Sequence, residues 1–505
     1  MRYSPVLKSS PHCLPSPDGH CIATVSVSGV NIRDVASLEV VRSIGLPAEV
    51  AGSVTTFAWS ASSKRLLLAS AEEIHVLGVS KRSSYHATIR NPALSGAKSV
   101  FVDFGQNDDE VFVFSALGIK LSIFPLSSSQ VVEISNPKCY SPSTVAHGFS
   151  FRSQSGHLAL LTRTAGKDMI SIHSPGTRAV ARSWNPDVID AQGICWAPDG
   201  RWLVVWESAA HGIRVLFYTA DGNLYRDWTG PQPASPDSID HGLHAGVKQL
   251  AFSHDGRYVA VADYERSLYI LSTSNLMQCI ELIHPLGSIE LQDTLQVWQE
   301  TDGSLSAFIK ASQSVAPPGR ASKTSQDLRT GCEYMGFDCS SATIATVLAD
   351  APTTVWVWDV AALELRAVLI FHSNVSKVEW HPAQPELLFV KCDGDRSSGL
   401  VFVWDPLSDG PRTADFQSHF AGGITNGRVS TFWIKANPEA PTILLADGTA
   451  CMLGSLADDD QDVPWKDDSI VGSRDDASDS ATESDMDPGD LDDTFHFKRG
   501  AGPGK

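Results

Sequence analysis

The chain has 505 residues, of which 42% are hydrophobic, and a formal net charge of −19. This length suffices for a large buried core, while the acidic balance argues against nucleic acid or an anionic membrane surface as the main partner, because both require clustered Lys and Arg. The amino terminus lacks the apolar core of a signal peptide, and the best apolar run is interrupted by Lys120, so we expect no membrane helix. Nine cysteines without a C-x-x-C pair favour the cytosol or nucleus.

Similar segments recur along the chain. "LPSPDGHCIATVS" from Leu14, "ICWAPDGRWLVVW" from Ile194 and "LAFSHDGRYVAVAD" from Leu250 each combine an apolar strand, a polar turn and a second apolar strand. Asp-Gly supplies the positive φ of a tight reversal, and the flanking alternation predicts strands. Pro15 marks the first unit, and an aromatic residue before the turn marks the others: Trp59, Phe104, Phe151, Trp196, Phe252, Phe337, Trp380 and Trp433.

The spacings between these markers indicate a repeat architecture. They are 44, 45, 47, 45, 56, 85, 43 and 53 residues. A period of about 45 with such turns and with strands that end in Trp-Asp is typical of WD40 β-propeller blades. We predict an all-β protein with a single ring of eight or nine blades over residues 1–456, closed by residues 1–8 pairing with the last sheet. A seven-bladed ring with an extra flanking sheet is the alternative.

Several predicted strands end in an aspartate. In "VWVWDV" from Val355, the four residues before the aspartate are all apolar, which is expected when neither face of a sheet contacts water. The following acid stands where the strand leaves the sheet and can accept hydrogen bonds from turn amides. We interpret three such residues as structural turn acids: Asp34, Asp359 and Asp405. The Gly-His pair of WD40 units is not regularly present, so we expect their buried His–Ser–Asp–Trp network to be incomplete in most blades.

The longest spacing contains an insertion at about 286–331. Its segment 294–311 predicts a hairpin around Asp302-Gly303. The following segment, 312–331, is polar and contains Pro and Gly, which predicts a mobile surface loop. Three cations make this loop a candidate docking site for an acidic partner: Arg320, Lys323 and Arg329.

The composition changes abruptly near the carboxyl terminus. Residues 458–493 contain fifteen Asp and Glu against Lys466 and Arg474, a local charge of −13. Such a segment cannot bury a core, so we predict a disordered acidic tail over residues 457–505, with Trp465 as a short anchor for a partner. A purely solvating role for the tail is the alternative. Three residues have an acid three positions later and are candidate phosphorylation sites: Ser473, Thr482 and Ser484.

Motifs of catalysis are absent from the sequence. It has no G-x-S-x-G elbow, P-loop, H-E-x-x-H or zinc cysteine spacing. We therefore predict no catalytic, cofactor-binding or metal-binding residues. For partner contact the best candidates are Trp184 and Trp228, which stand beside turn residues between blades, because aromatic residues dominate interface energetics. Packing of these tryptophans against the ring is the alternative.

Longer segments carry a specific resemblance. "VLKSSPHCLPSPDGHCIATVSVSGVNIRDVASLEV" near the start, residues 193–208, residues 246–285 and "TTVWVWDVAALELRAVL" (353–369) resemble the WD-repeat subunit of the centrosome and spindle-pole-body microtubule-anchoring complex. The resemblance covers roughly residues 1–455 and includes an insertion in the same place. The acidic tail departs from the family pattern.

The resemblance implies a non-enzymatic scaffold in the cytoplasm, at the microtubule organising centre of the cytoskeleton. Family members bind a coiled-coil partner, hold microtubule minus ends, in some cases with a minus-end-directed kinesin, and support assembly of the mitotic spindle. A ribosome-associated, translation-factor-like propeller or another general WD40 adaptor is the alternative. The charge without residues 457–505 is −9, from −19 less −10, and this acidity argues against an RNA-facing ring. A hidden hydrolase ranks third.

Overall fold

The structure is a computed structural model that divides into two units, of which the first is Met1–Lys466. A second unit, Asp467–Lys505, lies outside the described residues. The structure describes residues 1–92, 101–115, 118–138, 148–231, 245–301, 307–319, 331–420, 429–435, 440–457 and 463–466.

The described strands form nine sheets, which follow one another along the chain as the nine blades of a β-propeller. The predicted all-β ring of eight or nine blades is thus confirmed with nine, numbered here in chain order. The helical elements that lie wholly within the described residues are α1 (Ala48–Gly52) and the 3-10 turns Ala209–His211 and Gln417–His419. Blades 1 to 3 contain β3 (Cys13–Pro15), β4 (Cys21–Ser26), β5 (Gly29–Asp34) and β6 (Val40–Gly45) in blade 1; β7 (Thr56–Trp59), β8 (Arg65–Ala69), β9 (Glu73–Gly78) and β10 (His86–Arg90) in blade 2; and β11 (Phe101–Phe104), β12 (Glu110–Phe114), β13 (Lys120–Pro125) and β14 (Val132–Ser135) in blade 3. Blades 4 to 6 contain β15 (Phe149–Phe151), β16 (Leu158–Thr164), β17 (Lys167–His173) and β18 (Val180–Trp184) in blade 4; β19 (Ala191–Trp196), β20 (Trp202–Glu207), β21 (Val215–Thr219) and β22 (Leu224–Trp228) in blade 5; and β23 (Val247–Phe252), β24 (Tyr258–Asp263), β25 (Ser267–Ser272) and β26 (Cys279–Ile283) in blade 6. Blades 7 to 9 contain β27 (Gln296–Glu300), β28 (Phe308–Lys310), β29 (Cys332–Phe337), β30 (Thr343–Leu348), β31 (Ala351–Asp359) and β32 (Glu364–Ile370) in blade 7; β33 (Val375–Trp380), β34 (Leu388–Cys392), β35 (Leu400–Trp404) and β36 (Arg412–Asp415) in blade 8; and β37 (Ser430–Ile434), β38 (Thr442–Ala446), β39 (Ala450–Ser455), β1 (Arg2–Tyr3) and β2 (Leu7–Lys8) in blade 9.

Within a blade the strands lie side by side in order from the ring axis to the rim. The first strands of consecutive blades contact one another, as β15 with β19 and β23 with β29, which places them where the blades converge. The fourth strands are the most exposed, and β18 is exposed at four of its five positions. In the four-stranded blades the rim is therefore built from fourth strands, and the two faces of the ring are built from loops.

The core consists of apolar clusters between consecutive blades. In β31, Trp356 and Trp358 pack in one cluster with residues of blade 6, while Val355 and Val357 pack in another with residues of blade 8. Both faces of the strand are therefore covered, which explains why these four consecutive residues are all apolar. The same two-sided packing recurs around the ring, and its last cluster joins Leu444 of blade 9 to blade 1.

Tryptophans on the first strands also join blades through hydrogen bonds. The indole of Trp59 donates to the backbone oxygen of Leu14 in the preceding blade at 3.1 Å, and Trp380 donates to the oxygen of Gly336 at 2.8 Å. A large indole side chain at this position fills space near the propeller axis, and its N–H donates a hydrogen bond to a carbonyl of the neighbouring blade. The aromatic markers of the repeat are thus, at these positions, cross-blade contacts.

The amino terminus closes the ring. Strands β1 and β2 pair antiparallel with β39, with Tyr3 opposite Gly454 and Leu7 opposite Cys451. Between them, Ser4 donates its backbone N–H to the oxygen of Leu453 at 2.9 Å, and its hydroxyl accepts the Leu453 N–H at 3.0 Å. The predicted closure by residues 1–8 is confirmed, and it covers the outer edge of β39.

The insertion enlarges blade 7. Strands β27 and β28 form the predicted hairpin, with Gln299 opposite Ile309, while the turn residues Asp302 and Gly303 lie outside the described residues. Strand β27 also pairs in parallel with β32, an arrangement that the sequence analysis did not foresee. Blade 7 is therefore a six-stranded sheet whose outermost strand is β28.

Replacing Ser4 with proline tests the closure. Proline removes both the N–H donor and the hydroxyl acceptor, and it leaves the buried Leu453 N–H unpaired. We expect the free energy of unfolding to fall by about 2–3 kcal/mol in urea denaturation. The control is Val6→Ala, a neighbouring side chain that is 45% exposed, which should change stability little. Equal stability of the Ser4→Pro variant and the wild type would contradict this role.

Candidate functional site

The three predicted turn acids stand where a strand passes into a turn: Asp34 is the last residue of β5, Asp359 is the last residue of β31, and Asp405 follows β35. An Asp34 carboxylate oxygen accepts the Ser37 N–H at 2.8 Å. Asp359 accepts two consecutive turn amides at 2.9 and 2.8 Å, and Asp405 accepts two at 2.9 Å each. These carboxylates satisfy backbone donors of the turns, as the sequence interpretation proposed.

The two candidate tryptophans have different surroundings. Trp184 is half-buried at the end of β18, where its indole packs against Tyr218 with ring centroids 5.5 Å apart and lies over Gly222. Trp228 is only 3% exposed and belongs to the core between blades 5 and 6, 5.6 Å from the ring of Tyr269. This burial leaves almost no surface of Trp228 for a partner, so only Trp184 stays a candidate contact residue.

Other candidates lie outside the described residues. These are the loop cations and the candidate phosphorylation sites: Arg320, Lys323, Arg329, Ser473, Thr482 and Ser484.

Trp465 was predicted to lie in the disordered tail, but the structure places it in the ring. Its side chain is 5% exposed and packs in the cluster between blades 9 and 1, together with Cys13. The following N–H, of Lys466, donates to the backbone oxygen of Ala36 at 2.8 Å. Residues 463–466 therefore belong to the ring, beyond the predicted boundary at residue 456, because an apolar indole gains more from this seam than from water.

A groove of about 380 Å³ lies between the edge of blade 6 and the beginning of the insertion. Strand β26 ends at Ile283, and the proline two residues later lacks the N–H needed to continue pairing. The chain then crosses to blade 7, where Ile289 donates its N–H to the oxygen of Val315 at 2.8 Å. We call this feature the blade 6–7 groove; its apolar lining residues are Ile283, Pro285, Ile289, Leu295, Trp358 and Leu365.

A buried hydrogen-bond relay lies under the groove. The indole of Trp358 donates to the Thr346 hydroxyl at 3.2 Å, and that hydroxyl lies 2.7 Å from Nε2 of His284. Nδ1 of His284 is 2.6 Å from the oxygen of Arg266, which can only accept, so Nδ1 carries the proton and Nε2 accepts from Thr346. Complete burial lowers the pKa of His284 to about 4, so the neutral form holds this relay together.

The rim of the groove is acidic. Glu290 and Glu364 line it together with Ser288 and Gln292, and no Lys or Arg is among its lining residues. Its shape and chemistry suit noncovalent recognition, since ligand pockets are concave, largely apolar and contain a few placed polar groups. The sequence analysis missed the groove; the signal was the apolar and acidic stretch "IELQDTL" from Ile289.

Within the described ranges, no group of three or more His, Cys, Asp and Glu side chains is arranged to hold a metal ion. None of the described helices has the length and apolar character that crossing a membrane requires.

The fold defines a nine-bladed β-propeller, and the chain is similar to WD repeat-containing proteins. An uncharacterized WD repeat-containing protein of Schizosaccharomyces pombe is 23% identical over 402 residues, 77% of each chain. The mouse WD repeat-containing protein WRAP73 is 23% identical over 420 residues, 78% of this chain and 84% of the mouse protein. A crystal structure of the eukaryotic initiation factor shares the fold with a TM-score of 0.50 and 11% identity, over 82% of this chain and 90% of the other. No protein-family model matches the sequence.

The relay predicts a pH-dependent stability. The pKa of His284 falls from 6.5 in the unfolded chain to about 4 in the ring, so between these values the unfolded state binds more protons. Stability is therefore full above about pH 6.5 and decreases as the pH falls towards about 4, by up to about 3 kcal/mol from this residue.

Urea denaturation between about pH 7.5 and about pH 4.5 measures this slope. The His284→Gln variant, which does not titrate, should show a flatter slope than the wild type, with the remainder owed partly to His381, whose pKa burial also lowers to about 4. Exposed His254→Gln is the matched control and should keep the wild-type slope. Parallel slopes of the His284→Gln variant and the wild type would refute the role of the relay.

Proposed function

We propose that this protein is a non-enzymatic scaffold at the spindle pole body or centrosome. In this role the ring binds a coiled-coil partner, in some settings together with a minus-end-directed kinesin, and so helps to anchor microtubule minus ends and assemble the mitotic spindle. The observation that carries the proposal is the resemblance of successive blade sequences, including the position of the insertion, over roughly residues 1–455.

The architecture supports a scaffold. Closure by β1 and β2 and apolar packing between successive blades favour a rigid ring, which offers two loop faces and a rim for helical or extended segments of other proteins. Similarity to WD repeat-containing proteins over more than three quarters of the chain supports the general adaptor role. The pole and microtubule role goes beyond these similarities and rests on the resemblance.

A translation-factor-like role has weaker support. The likeness to an initiation factor has 11% identity, and at this level it concerns the fold alone. The charge of −9 without residues 457–505, from −19 less −10, also disfavours contact with RNA, which requires clustered cations.

Localisation and co-purification in dividing cells test the proposal. A fluorescently tagged full chain is expected to form focal signals at the spindle poles through mitosis and to co-purify with a coiled-coil protein. The Ser4→Pro variant, whose ring is less stable, should reduce both signals. It therefore serves as the control that shows whether both signals require the folded ring. Diffuse wild-type signal through mitosis would refute the pole role, and salt-resistant sedimentation with ribosomes would favour the alternative.

A further inference from the structure

Exposed apolar side chains concentrate beside the blade 6–7 groove. Met277 is 66% exposed, Ile280 39%, Ile283 64% and Leu291 37%, and all four lie within fifteen residues of the chain. Single exposed apolar residues are ordinary, but several beside a concave apolar surface mark a site of interaction. Ile283 itself lines the groove, and Leu291 lies between two of its lining residues in the chain.

The charges around the groove have one sign. Glu290 and Glu364 stand at its rim, Asp293 is exposed on the same segment as Glu290, and Glu281 is exposed on β26. Since the lining contains no Lys or Arg, these carboxylates give the opening a negative potential. A partner with Lys or Arg beside its apolar residues complements both features, whereas an acidic partner is repelled.

The groove is formed before anything binds. Trp358, which lines the groove, is held by the His284 relay. The segment that crosses from blade 6 to blade 7 is held at Ile289 by its backbone hydrogen bond to Val315. A preformed site loses little conformational entropy when it binds, which favours affinity.

The form of the occupant follows from the lining. Ile283 comes from β26 of blade 6, whereas Trp358 and Leu365 stand opposite each other on the paired strands β31 and β32 of blade 7, so two blades present apolar side chains to the groove. Such a cleft accepts the apolar stripe of a helix, in which residues three and four positions apart share one face.

We infer that the blade 6–7 groove binds a basic amphipathic helix of a partner protein. The apolar stripe of the helix fills the cleft, and flanking Lys or Arg pairs with Glu290 and Glu364. This inference rests on the proposed scaffold function, for which it names the binding surface and the chemistry of the partner.

Binding of synthetic probes to the purified full chain tests the inference, and fluorescence anisotropy measures it. The first probe is a peptide with Leu at helical spacing and Lys between, the second has Glu in place of Lys, and the third has the composition of the first in strict alternation. The first probe is expected to bind at least about tenfold more tightly than either of the others. Equal affinity of the Lys and Glu probes would overturn the inferred charge complementarity. Equal affinity of the first probe and the alternating probe would overturn the inferred helix and indicate a strand as the occupant.

Substitutions locate the binding. Ile283→Asp should weaken binding of the first probe by at least about tenfold, because it places a charge in the apolar lining. Leu407→Asp is the matched control at a residue 94% exposed on blade 8, and it should leave binding unchanged. The double variant Glu290→Lys and Glu364→Lys should lose the Lys probe and gain the Glu probe. Identical binding by the groove variants and the control, or none by the wild type, would overturn the inference.

The same variants separate the inference from the proposed function. In cells, Ile283→Asp should lose the coiled-coil partner while the Leu407→Asp control retains it. Probe binding without focal signal at the poles would refute the proposed function and leave the groove intact. Focal signal and partner capture that persist in Ile283→Asp would refute the groove and leave the proposed function intact.

Discussion

Every sheet of this ring depends on its two neighbours for the burial of its faces. The alternation of Trp356 and Trp358 towards blade 6 with Val355 and Val357 towards blade 8 shows the constraint within one strand. Because apolar burial is the main source of stability, an open end would expose two such faces to water. The pairing of β1 with β39 removes that end, so the integrity of the ring depends on the first residues of the chain.

This packing also decides where recognition can occur. Sheet faces are occupied by neighbouring blades, which leaves loops, the rim and inserted segments for other molecules. The insertion uses the rim by adding β27 to β32, and the chain that leads to it forms one side of the blade 6–7 groove. Trp358 serves both purposes, since it packs in the core cluster and lines the groove.

The buried polar groups serve the fold. Asp359 satisfies turn amides, and neutral His284 connects a loop carbonyl to Thr346. Perturbed pKa values often mark functional sites, but for His284 burial beside its hydrogen-bond partners accounts for the shift. The chemistry at the blade 6–7 groove is apolar and acidic, which suits recognition of other proteins by shape and charge.

The sequence by itself determined the repeating blades and the hairpin strands of the insertion, because strand alternation and Asp-Gly turns are local signals. The closure by residues 1–8 followed from the ring architecture that the repeat implies, because a ring must join its first and last blades. Only the tertiary structure decided the parallel pairing of β27 with β32, the burial of Trp228 and the docking of Trp465 between blades 9 and 1. It also decided the groove, whose sides come from Ile283 and Leu365. These features depend on residues far apart in the chain meeting in space, and no local pattern encodes that distance.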